Sequence, residues 1–99
     1  MELENFGEAL EALIASGAEH YGDGESIEVL HDMSSRLDSF VTEATAAFEA
    51  SEQWAAEGAK SAASWISSRC RLPRAASLRR VRLGRTLRHL PLEIGRAHV

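Results

Sequence analysis

Apolar residues recur at three- and four-residue steps along most of the chain, and that spacing predicts helices. Leu3, Phe6, Leu10, Leu13 and Ile14 mark one face of a first amphipathic helix, which Gly17 ends. Residues 17–24 hold three glycines and predict a loop. A second stripe runs through Ile27, Leu30, Met33, Leu37, Phe40, Val41, Ala44 and Phe48, and no glycine or proline interrupts residues 25–57. One long helix is therefore expected over 25–57, capped by Ser26, with Glu25 and Glu28 near its positive end and Gly58 as its stop. Its stripe is expected to bury chiefly against Trp65 and the Leu83–Leu87 face.

Ser61 suits the cap of a short helix over 62–70, with Ala62, Trp65 and Ile66 facing inward. Leu72-Pro73 breaks it, because the residue before proline disfavours the helical region. Pro73 also fits the start of the next helix. That fourth helix is expected from about 74 to 89. Ala76, Leu83, Leu87 and Leu90 form one stripe of it. Arg74, Arg82, Arg85 and Arg88 spread over the other side, with Leu78 and Val81 beside them. Pro91 closes it, and Glu93 to Val99 look like the first turns of a further helix. The fold class is all-α: a compact array of about four helices, one of them long and central, with a helix-turn-helix-like pair.

Charge sharpens this picture. Ninety-nine residues make one domain at most. The net charge of −4 conceals a split: residues 1–57 carry fourteen acids and one base, Arg36, whereas residues 58–99 carry ten bases and one acid, Glu93. An acidic N-terminal helix and loop (1–24) thus precedes a region (25–99) whose second half is basic. Such asymmetry suits either a polyanion-binding half or two halves that attract each other. The acidic start lacks the basic region of a signal peptide. No apolar run reaches the eighteen or so residues of a membrane span. Cys70 is the single cysteine, which excludes an internal disulfide and suits a reducing compartment. A cytoplasmic protein is the expectation.

In residues 54–91, Trp54, Gly58, Ser61-Ala62-Ala63-Ser64-Trp65-Ile66, Arg69, Leu72, Arg74-Ala75, Val81-Arg82-Leu83, Leu87 and Leu90-Pro91 stand in a familiar order. The stretch resembles the helical domain of unknown function found upstream of an HNH nuclease module in many actinobacterial proteins, known in mycobacteria as a repeat family. The resemblance covers about residues 25–99. It implies a helical, non-catalytic domain that assists DNA contact, with nuclease chemistry lying in another module. Such domains continue after the Leu-Pro pair through a spacer and further helices. Here Pro91 leads almost directly to Ile94-Gly95-Arg96, so the likeness is to the N-terminal part only, as in a fragment of a longer domain.

No enzyme chemistry is expected. HNH catalysis needs a metal-ligating histidine, a general-base histidine and an orienting asparagine. This chain has one asparagine, Asn5, inside the first predicted helix, and no CxxC pair. Glu28 and His31 have the spacing of one iron-binding Glu-x-x-His pair, but a bundle site needs two such pairs and two further glutamates. Gly22-Asp23-Gly24 is too short for a phosphate loop and is followed by acids. Cys70, beside Arg69 and Arg71, is expected to be a buried or half-buried bystander. No catalytic residue, cofactor, metal or small-molecule site is assigned.

The basic helix is the serious candidate. Arg74, Arg79, Arg82, Arg85 and Arg88 are the expected nucleic-acid contacts, since guanidinium groups match phosphates and guanine edges. The helix-turn-helix detail is poor. Leu72 stands where the turn usually has glycine, and Ser67 and Ser68 stand where small apolar residues belong. The competing reading pairs these arginines with Glu43, Glu49, Glu52 and Glu57 of the long helix. The alternative function is a protein-interaction or dimerisation module with the long helix as its seam.

Overall fold

The computed structural model describes residues 1–89. It is all-α: α1 (Glu2–Ser16), a 3-10 turn (Ala18–Tyr21), α2 (Gly24–Ser51), α3 (Gln53–Ala56), α4 (Ala62–Arg69) and α5 (Arg74–His89). Pro91 and the expected helix start over 93–99 lie outside the described residues. Contacts divide the chain into two units, Met1–Arg36 and a second beginning at Leu37.

In the first unit, α1 stops at Gly17, whose φ of 97° is a conformation that a side chain would strain. The expected loop tightens into the 3-10 turn, and Ser16 Oγ lies 2.9 Å from Tyr21 Oη. The cap of α2 is Asp23, not Ser26. Asp23 Oδ2 accepts the Ser26 backbone N–H at 2.9 Å, which makes Ser26 the capped residue. That hydrogen bond holds the Asp23 carboxyl below its usual range. No residue of α1 is buried.

The long helix ends earlier than its periodicity predicts. Glu52 takes a left-handed conformation, φ 58°, and splits the expected 25–57 helix into α2 and α3. No glycine or proline marks this break. The side chains around it supply the reason. Ser51 Oγ donates to Phe48 O at 2.7 Å and accepts from Gln53 N at 3.2 Å, and the Trp54 indole donates to Glu49 O at 3.2 Å. Carbonyls left open by the helix end are thereby satisfied.

The second unit contains the core. Ala62, Ala63 and Ile66 of α4 and Val81 of α5 are buried together, with Phe48, Trp54, Trp65 and Leu78 packed against them. Ser61 caps α4 as expected, accepting Ser64 N at 3.1 Å. The α4–α5 turn closes through Leu72 N to Ser67 O at 3.2 Å, with Arg71 left-handed at φ 58°. This is the six-to-one bond of a Schellman cap, built without the glycine such a cap favours. Ser67 is useful as a serine here, because its hydroxyl donates to Leu72 O at 2.8 Å. Cys70 ends α4 with its side chain exposed, contrary to the expectation of burial.

The buried faces of α2 and α5 are not the expected ones. Leu37, Phe40 and Leu83 retain 42%, 65% and 50% of their exposure, and Leu87 is also exposed. The stripe from Ile27 to Phe48 therefore does not bury as a whole, and the expected packing of Leu83 and Leu87 on it is corrected. The residues buried instead are Thr42, Thr45 and Ala46 on α2 and Ser77, Val81 and Gly84 on α5. The physical reason is closeness. A Cβ added at Gly84 would stand 2.9 Å from Thr42 O and 3.3 Å from Ala46 Cβ. Small residues let the two backbones approach where leucines would hold them apart. The buried hydroxyls bond within their own helices: Thr42 to Asp38 O at 3.0 Å, Thr45 to Val41 O at 2.7 Å, Ser77 to Pro73 O at 3.3 Å. Burial therefore leaves none of them without a partner.

Candidate functional site

α5 presents two sides around its buried strip of Ser77, Val81 and Gly84. At 100° per residue, Arg79 and Arg82 lie on the side away from that strip, with Ala75 and Thr86. All four are exposed. Arg74, Arg85 and Arg88 border the strip. The five expected nucleic-acid residues thus do not form one continuous surface.

Their electrostatics differ as well. Arg85 makes a two-point contact with Glu49 of α2: Nε to Oε1 at 3.2 Å, and Nη2 to Oε2. That hydrogen bond, then the carboxylate's charge, holds the Arg85 guanidinium above its usual pKa. Arg74 donates to Ser64 Oγ at 3.4 Å. Arg88 is also engaged. Arg79 and Arg82 meet no acid among the described residues.

Sequence reasoning did not single out Arg80. It is half-buried and reaches Asp38 Oδ1 at 2.7 Å, Asp38 O at 3.1 Å and Thr42 Oγ1 at 2.9 Å. Three acceptors on α2 make it the clamp of the α2–α5 crossing. No local signal in the sequence sets it apart, because the small residues beside it are selected by packing. Glu57 of the competing reading pairs with α4, not α5: Arg69 Nη2 approaches Glu57 Oε1 at 2.6 Å. The same carboxylate accepts the Trp65 indole at 3.1 Å, and the Arg69 guanidinium lies 5.3 Å from the Trp65 ring centroid. Glu57, at the C-terminal end of α3, thus holds a local network with Trp65 and Arg69 of α4.

Open apolar surface remains on both helices of the crossing. One groove of about 440 Å³ is lined by Leu72, Ala76, Leu83, Arg79, Arg80 and Asp38. Another, about 390 Å³, lies beside Glu43, Ala46, Gly84 and Leu87. Phe40 is exposed on the side of α2 away from its buried threonines, and Leu37 and Val41 are exposed between the two sides. Glu28 and His31 are exposed, and no group of three or more potential metal ligands occurs among the described residues. No described helix is long and apolar enough to cross a membrane.

No protein-family model, curated protein or solved structure matches this chain.

Proposed function

We propose that this chain is a non-catalytic helical interaction module that self-associates through the long helix α2. The observation that carries this reading is the exposed face Leu37, Phe40 and Val41, three large apolar side chains on a helix whose other side is packed into the unit. Large apolar residues grouped on one surface mark association sites more often than solvated ones. Sedimentation of the intact chain should show a dimer whose population rises with concentration. Leu37→Glu should shift it to a monomer with unchanged helix content, since Leu37 is not part of the core. A monomer at every concentration in the unmodified chain would remove the reading.

Contact with DNA is the second reading, supported by Arg79 and Arg82, which face away from the crossing and have no acid partner among the described residues. The resemblance to the domain preceding HNH modules points the same way, and an HNH reading frame downstream of Val99 would strengthen it. Two phosphate contacts imply a salt slope of about −1.8 in log affinity against log salt. Fluorescence anisotropy with duplex DNA measures it. Arg79→Ala with Arg82→Ala should bring the slope close to zero for all sequences alike, because phosphate contacts position rather than specify. Absence of binding by the folded chain at low salt would leave these arginines as a solvated face.

A further inference from the structure

We propose that the first unit, Met1–Arg36, is a docking surface for a basic amphipathic helix of another protein, seated in the groove formed by the end of α1, the 3-10 turn and the start of α2. No residue of this unit is buried. Leu3, Phe6, Leu10 and Ile14 of α1 and Ile27, Val29 and Met33 of α2 are all exposed. An amphipathic helix is stabilised when its apolar stripe is covered by another element. Apolar surface left open on this scale marks an association site. No residue of it belongs to the Leu37, Phe40 and Val41 face of the proposed self-association, so the two readings stand or fall separately.

The groove gives this surface its shape. It encloses about 330 Å³, and its apolar lining is Leu13, Tyr21, Val29, Leu30 and Met33. At helical spacing Val29, Leu30 and Met33 cover roughly 100° of one side of α2, the width of an amphipathic stripe. Tyr21 is held in place at the turn, with its hydroxyl 2.9 Å from Ser16 Oγ. Met33 is unbranched and polarizable, so it adapts to the side chains of an incoming helix. A groove of this kind takes the apolar face of a helix.

Charge selects the occupant. Residues 1–36 carry nine acids against one base, Arg36, a side-chain charge of −8. Two of these acids, Asp23 and Glu25, line the groove itself. Asp23 stays ionised, because the Ser26 N–H it accepts holds its carboxyl below the usual range. The ion pairs of the unit are Glu4 with the N-terminal amine and Asp32 with Arg36, both exposed and therefore weak. Glu25 meets no base among the described residues. A field of this sign repels nucleic acid, an anionic lipid surface and a second copy of the same unit. It attracts a cationic segment and fixes its orientation. An apolar floor with acids along it therefore matches a helix whose apolar stripe is bordered by lysine or arginine.

The test uses the intact chain and a labelled synthetic helix of leucine and lysine, followed by fluorescence anisotropy. A lysine-only peptide of equal charge should bind about tenfold more weakly or worse, and a leucine–glutamate helix should not bind. Val29→Ser with Met33→Ser changes exposed positions and leaves the charge unaltered. It should weaken binding about tenfold at unchanged helix content. Glu25→Lys should weaken it about tenfold as well, whereas Phe40→Ser should leave it unchanged. Equal binding by the unmodified chain and the serine variant would reduce the contact to charge alone and overturn the groove. No binding by the folded chain at low salt would overturn the docking surface. So would a homodimer, seen by sedimentation, that the serine variant dissociates, since a second copy would then be the occupant.

Discussion

Replacing Gly84 with valine should cost about 2 kcal/mol and lower the melting temperature of the second unit by on the order of 10 °C. The reason is the α2–α5 crossing. A side chain at position 84 meets the Thr42 carbonyl 2.9 Å away, a backbone atom that moves only if α2 moves. Separating the helices also stretches the Arg80 clamp to Asp38 and Thr42 and the Arg85 contact with Glu49. Gly84→Ala should lose less, because about 1 kcal/mol of helix propensity offsets part of the overlap. Gly7 supplies the control. It lies in α1 with nothing within 4 Å of an added Cβ, so Gly7→Ala should gain stability rather than lose it. Thermal melts followed by circular dichroism compare the three. A valine variant that melts with the unmodified chain would remove the close crossing.

Trp65→Ala should be the more damaging change, at about 3 kcal/mol. Trp65 joins three parts of the second unit. Its ring lies 4.7 Å from that of Phe48, centroid to centroid and tilted by 54°, which ties α4 to α2. Its indole donates to Glu57 at the end of α3, and Arg69 lies over its face. Trp65→Phe keeps the aromatic contact and loses the indole donor, so about 1 kcal/mol is expected. Urea denaturation followed by circular dichroism separates the two, since Trp54 complicates a fluorescence signal. Equal losses for alanine and phenylalanine would mean that the hydrogen bond, not the ring packing, dominates.

The legibility of this chain divides by the range of the interaction. Gly17, Ser61 and Pro73 fall where local chemistry requires a stop, a cap and a start, and α1, α4 and α5 have close to their expected bounds. The break at Glu52 was not legible. It depends on a serine hydroxyl and an indole that satisfy backbone groups at a helix end, and neither residue type marks a break by itself. The candidate site was legible as a basic helix and not as a surface. Arg74, Arg79, Arg82, Arg85 and Arg88 look alike in sequence, yet one is held by Glu49 and two point away from the crossing.

Read alone, the sequence determined an all-α chain, one long helix, the capped short helix and the arginine-rich helix after Pro73, because helical periodicity and caps are properties of neighbouring residues. Only the tertiary structure decided which faces meet. Periodicity ranks positions by hydrophobicity and selects Leu37, Phe40, Leu83 and Leu87. Packing ranks them also by how near two backbones can come, and it selects Thr42, Ala46, Ser77 and Gly84. The small residues prevail at the crossing because their hydroxyls bond within their own helices and they have no bulk to hold the helices apart. The large apolar side chains are left on the outside.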